Sequence, residues 1–221
     1  MTIEDVHKWI NFIADKSIDN YFTSDEIDRS LDRAQIAYFN SEYSYYALAE
    51  KLQDSLSPFK VTYNFLTSDT PSGVITLTSD YMYMTGGYVT VVINGNTRNK
   101  SLKILSEDEV AYRLESKLRP VSTSKPFATI YGKVSGITLI QLYPKTSMAG
   151  TIFYLRRPAV PKFAYTQVGR VITYDPTNSV QLEWGESEIG EIMIRALEYL
   201  GVNAQDQTVA QFADLKSKEV N

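Results

Sequence analysis

Hydrophobic positions recur along this chain with two different periods, and the switch between them divides it. Ile3, Val6, Trp9, Ile10 and Ile13 fall on one face of a helix, with Thr2 placed to cap its start. After "DKSIDNYF" loosens the pattern, Thr23 and Glu26 form a capping box. Asp25, Glu26 and Asp28 suit the positive end of that second helix's dipole. Ile27, Leu31, Ala34 and Tyr38 continue at helical spacing, then Tyr45, Leu48, Leu52 and Leu56, until Ser57-Pro58 stops the run. "FNSEYS" predicts a kink or short break, because Asn and Ser compete for backbone hydrogen bonds.

Beyond Pro58 the period falls to two. Phe59, Val61, Tyr63 and Phe65 alternate with Lys60, Thr62 and Asn64, the pattern of a half-buried strand. "TSDTPSG" reads as a turn, "VITLTSDYMYM" and "GGYVTVVINGN" as separate strands, and Gly86-Gly87 and Asn94-Gly95 as hairpin turns. Ser106 with Glu109 opens a short helix carrying Val110, Leu114 and Leu118, ended by Pro120. A three-strand meander follows: "FATIYGKV" turns at Ser135-Gly136 into "ITLIQLYP", and "KTSMAG" leads into "TIFYLRR". "GRVITY" and "VQLEW" then bracket the turn "DPTNS".

The end is helical again. Glu186, Glu188 and Glu191 start a helix whose Ile189, Ile192, Met193, Ala196, Leu197 and Leu200 face inward, and Gly201 stops it. Val209, Phe212 and Leu215 mark a weaker, more exposed helix. Segregated helices and strands predict an α+β fold. Terminal helices (1–57 and 186–218) pack together, and a central, mostly antiparallel sheet or small barrel (58–185) is interrupted by one short helix.

Composition narrows the function classes. The 221 residues contain no cysteine, which excludes disulfides, thiolate nucleophiles and cysteine metal sites. The net charge is −4, and Arg156-Arg157 is the only tight basic pair singled out, so nothing marks a phosphate grip. Sixteen tyrosines suit either β-strands or protein interfaces. The N-terminus has no secretory pattern, and no stretch approaches the ~20 apolar residues of a membrane span. No membrane partner and no cofactor are expected.

Catalytic signatures are equally scarce. His7 is the only histidine and is expected to be an ordinary surface or half-buried residue. The carboxylates of "SDEIDRSLD" and "SEDE" sit at helix starts, where they belong electrostatically, with Arg29 and Arg33 near Asp28 and Asp32. Neither glycine pair belongs to a P-loop or a dinucleotide fingerprint.

One stretch carries more information. In "TIFYLRRPAVPKFAYT", strand alternation puts Thr151, Phe153, Leu155 and Arg157 on one face and Ile152, Tyr154 and Arg156 on the other. The arginines therefore cannot clamp one phosphate together. Pro158 and Pro161 force an extended arm bearing Val160, Phe163 and Tyr165, which either crosses its own subunit or docks on a neighbour. Tyr154, Arg156, Arg157, Pro158, Pro161, Phe163 and Tyr165 are the candidate partner-interface residues. If the arm docks on a neighbour, replacing both prolines by glycine weakens assembly more than stability.

"SDEIDRSLDRAQIAYFN", "LSPFKVTYNF", "GVITLTSDYMYM", "TIFYLRRPAVPKFAYT" and "VQLEWGESEIGEIMIRALEYLGVN" occur in an order that resembles head-to-tail adaptor or ring proteins of short-tailed bacteriophages, especially crAss-like and related phages of Bacteroidetes. The resemblance implies packed terminal helices with a β-rich part. It also implies a twelve-fold ring of copies in the virion, bound to the portal protein and other connector or tail proteins, with DNA passing through the lumen as a duplex. The expectation is a structural protein and not an enzyme. The alternatives are a tail-tube or baseplate-type component, or a carbohydrate- or receptor-binding β-module.

Overall fold

Three helix starts close by the same local chemistry. The Thr2, Thr23 and Ser106 hydroxyls accept from the N–H groups of Asp5, Glu26 and Glu109, whose carboxylates accept in return from the cap residues' N–H and hydroxyl groups. The Thr23 hydroxyl, then its N–H, hold the Glu26 carboxyl below its ordinary range. Ser106→Ala is expected to lower stability by about 1 kcal/mol, read from the urea midpoint of the β-rich unit.

The computed structural model describes residues 1–18, 22–46, 55–93, 95–118, 120–168 and 171–202. Its elements run α1 (Ile3–Ile18), α2 (Ser24–Tyr46), β1 (Lys60–Phe65), β2 (Val74–Thr76), β3 (Tyr81–Ile93), β4 (Asn96–Ser101), β5 (Lys103–Ile104) and α3 (Glu107–Glu115). Then come β6 (Phe127–Val134), β7 (Ile137–Tyr143), β8 (Ala149–Arg156), β9 (Tyr165–Val168), β10 (Val171–Tyr174) and α4 (Glu186–Tyr199). This is an α+β fold with terminal helices and a central β region. The chain groups into two contact units, residues 1–58 with 158–221, and residues 59–157. Residues 158–185 thus group with the helices.

In the first unit α4 packs on α2 and α1. The buried apolar positions include Ile3, Val6, Ile10 and Ala14 on α1, Ile27, Leu31 and Ala34 on α2, and Ile189, Ile192, Ala196 and Leu197 on α4. Each set keeps the three-and-four spacing of a helix face. Trp184, just before α4, sets its ring edge-on to Tyr38 and Phe39, and its Nε1–H donates to Gln35 Oε1 at 3.3 Å. α2 runs through "FNSEYS" without the expected break; the Ser44 hydroxyl donates back to the Asn40 carbonyl within the helix. Gly201 takes φ +81° and ends α4 as expected. The expected helical positions Leu48 and Leu52, and the segment with Val209, Phe212 and Leu215, lie outside the described residues.

The second unit holds two four-stranded sheets, β1-β8-β3-β4 and β2-β7-β6-β5. All pairs are antiparallel except β5 with β6. Phe65, Val89, Val91, Ile152 and Tyr154 from the first sheet meet Ile75, Ala128, Ile140 and Leu142 from the second in one core. Tyr154 is central to it: its hydroxyl bonds Thr78 at 2.6 Å, and burial, the largest influence, raises its pKa.

Several expectations change here. Gly86-Gly87 is not a hairpin turn but lies inside the single long strand β3, beside register shifts against β8. A Cβ at Gly87 would stand 2.8 Å from the Thr151 carbonyl oxygen, so glycine lets the two backbones close. The meander holds for β6 and β7 only, because β8 leaves that sheet to pair between β1 and β3. "VQLEW" forms no strand beyond a single bridge of Val180 to Lys162, and β10 pairs instead with β9. On α3 only Val110 is buried. Leu114 points to solvent and Leu118 lies past the end of the helix.

Candidate interface: the arm and its hairpin

Residues 158–164 cross their own subunit. Pro158 and Pro161 are buried. Between them the Ala159 N–H donates to Glu183 at 2.9 Å, and its carbonyl accepts from Gln35 Nε2 on α2 at 2.9 Å. Lys162 and Val180 exchange both backbone bonds, and the Ala164 N–H donates to the Ser179 hydroxyl. The proline-imposed extended geometry is therefore used to lay backbone donors and acceptors along α2 and the strap of residues 175–183.

The arm is pinned at Phe163. Its N–H donates to both carboxylate oxygens of Asp28, at 3.0 and 3.2 Å, and its ring stacks on His7 with centroids 4.6 Å apart. His7 Nε2 lies 2.9 Å from Asp28 Oδ1. His7 is only 4% exposed, so it is neither surface nor half-buried as expected from the sequence. The signal was available. Ile3, His7, Ala14 and their neighbours Val6 and Ile10 share the buried face of α1, and a polar residue there needs a partner. Asp28, read as a helix-start charge, is that partner. Among the described residues no group of three or more His, Asp or Glu is placed to hold a metal ion.

Above this pin rises a two-stranded hairpin. β9 and β10 pair Tyr165 with Tyr174 and Gln167 with Ile172. The Phe163 ring stacks on Tyr174 at 5.2 Å, and the Asp175 N–H donates to the Ala164 carbonyl, closing the base. All four residues of β9 are exposed; Val168 is 79% and Ile172 61% exposed. Among the described residues β9 and β10 form a sheet of two strands only.

The seven candidate residues separate accordingly. Tyr154 is 2% exposed and belongs to the core of the β-rich unit. Ile152 and Tyr154 face this core, and Thr151 and Leu155 on the other face of β8 are buried as well. Arg156 is half-buried, its guanidinium 5.6 Å from the centre of the Phe59 ring, whereas Arg157 is exposed and its N–H donates to the Asp80 carbonyl. Pro158, Pro161 and Phe163 anchor the arm, and Tyr165 is open to solvent. The paired glycine substitution at 158 and 161 is now expected to destabilise the isolated subunit by about 1–2 kcal/mol, through the freedom gained by the unfolded chain. An unchanged melting temperature would count against this anchoring.

A groove of about 490 Å³ is lined by Met1, Asp5, Lys8, Trp9 and Glu186. Its polar groups are already engaged within the subunit: Asp5 with Thr2, Lys8 with Glu4, and Glu186 with the terminal amine. Among known proteins, no family model matches the chain, and no curated protein matches it.

Proposed function

We propose that this chain is a virion structural protein, a subunit of a homo-oligomeric ring in the portal–tail connector of a short-tailed phage. The observation that carries this reading is the β9–β10 ribbon. Two four-residue strands that form a sheet of two among the described residues, with Tyr165, Val168 and Ile172 exposed, are marginal by themselves. Yet the subunit ties their base, through Phe163, to buried His7 of α1 and half-buried Asp28 of α2. A ribbon held this firmly and left this bare suits an element completed by a neighbour. In a ring each subunit offers one surface to the preceding copy and another to the following one. The net charge of −4 favours a lumen along which duplex DNA slides without being held.

Mixing the purified chain with the portal protein of the same phage and imaging the product by electron microscopy tests the reading. A ring of copies on the portal, twelve-fold as the resemblance implies, is the expected result. A chain that stays monomeric beside the portal at high concentration would overturn it.

A further inference from the structure

The chain carries two exposed faces of opposite charge, each with charged side chains that find no partner among the described residues. Residues 96–104, covering β4 and β5, contain Arg98, Lys100 and Lys103 and no acidic residue. β4 and β5 are edge strands of the two sheets, joined through the buried Leu102, so the three cations lie where the chain passes from one sheet rim to the other. In register, Arg98 stands opposite Val91 and Lys100 opposite Val89. Both cations therefore spring from the core-side face and must reach past the rim to water, which blocks indiscriminate strand pairing there. Among the described residues none of the three forms an ion pair. Exposed Val92 and Ile104 flank them.

α4 has the opposite character. It holds Glu186, Glu188, Glu191 and Glu198 against Arg195 alone, and Arg195 lies 5.6 Å from the centre of the Tyr38 ring. Its solvent face repeats at helical spacing as Ser187, Glu191, Ile194 and Glu198. Among the described residues no hydrogen bond or ion pair engages the Glu191 or Glu198 carboxylate. The negative field is felt nearby: burial first, and then Glu42, Glu188 and Glu191, push the Tyr38 hydroxyl up to about 12.

We infer that the basic rim of β4–β5 on one copy docks on the acidic outer face of α4 on the next copy. This rests on the ring reading and names the subunit contact within it. Charge complementarity selects a second copy as the occupant, since the same chain supplies both signs at comparable strength and with apolar residues among them. Because the two faces differ, the contact can repeat head to tail. Phosphate is the competing occupant of a basic rim, and the test separates it.

The experiment measures self-association by sedimentation in ~50 mM and ~300 mM salt. It compares the wild type, a rim variant (Arg98→Glu, Lys100→Glu, Lys103→Glu), a helix variant (Glu191→Lys, Glu198→Lys) and an equimolar mixture of the two variants. Circular dichroism melts confirm that each variant is folded. Each variant alone is expected to lose association at least about a hundredfold, because like charges then face each other. The mixture is expected to recover it as mixed assemblies, and an unfolded variant is replaced by the single reversals Lys103→Glu and Glu191→Lys. Variants that assemble like the wild type would overturn this contact while leaving the ring intact. A closed dimer that the reversals break and the mixture restores would keep the contact and overturn the ring, and a wild type monomeric under all conditions would overturn both. Duplex DNA binding lost in the rim variant, with assembly unchanged, would assign the rim to phosphate instead.

Discussion

Gly150→Ala is expected to destabilise the β-rich unit by about 3 kcal/mol, because the added methyl group has no space. A Cβ at this position of β8 would lie 2.3 Å from the Tyr88 carbonyl oxygen, 2.8 Å from Phe65 Cζ and 2.9 Å from Val89 Cα. Two of those atoms are backbone of β3, which cannot retreat without breaking the Gly150–Val89 pairing, and the third belongs to a core ring. Gly150 also faces Phe65 across the β1–β8 ladder, so glycine leaves the width that this ring occupies. Both tryptophans, Trp9 and Trp184, belong to the helical unit, so their fluorescence does not report on this change. Hydrogen exchange of the β1, β3 and β8 amides does, and faster exchange across all three strands is expected. Gly190→Ala on α4, where a Cβ meets nothing within 4 Å, should instead stabilise the helical unit by about 0.5–1 kcal/mol. Unaltered exchange in Gly150→Ala would show that the sheet relaxes around the methyl group.

The same glycine shows where sequence legibility stops. The α+β class, two capping boxes, the Thr2 cap and the packed faces of α1, α2 and α4 follow from local rules of period and side-chain chemistry, and those rules act within a few residues. Strand partnership does not. β8 follows β7 in the chain but pairs with β1 and β3, and nothing in "KTSMAG" distinguishes a turn back from a crossing to the other sheet. Gly150 and Gly87 look like turn residues because the reason for them, a close approach of a neighbouring backbone, lies on a strand far away in sequence. The arm shows the same division. Its extended form follows from Pro158 and Pro161, but its destination depends on Gln35, Asp28 and Glu183, which its own residues do not name. Of the candidate interface residues, the local pattern could place Tyr154 on a face without telling which face is buried.

Asp28→Ala is expected to cost the helical unit about 3 kcal/mol and to loosen the β9–β10 hairpin. One carboxylate serves two separate elements, accepting from the Phe163 N–H and lying 2.9 Å from His7 Nε2. Removing it strands a buried imidazole nitrogen and a part-buried backbone donor at once, and alanine brings no replacement acceptor. Asp28→Asn keeps the size and one carbonyl oxygen, so it should cost about 1 kcal/mol. Because Trp9 and Trp184 both lie in this unit, urea denaturation followed by their fluorescence reads the overall loss. Hydrogen exchange of β9 and β10 reads the specific one. If Asp28 only joined α1 to α2, the hairpin amides would change no more than those of α4. The pinned arm demands a larger loss in the hairpin, since the Phe163 ring that Asp28 positions also stacks on Tyr174 at the hairpin's base. A double-mutant cycle with Phe163→Leu should then show coupling above about 0.5 kcal/mol, and strict additivity would sink the idea that one node holds the ribbon in place.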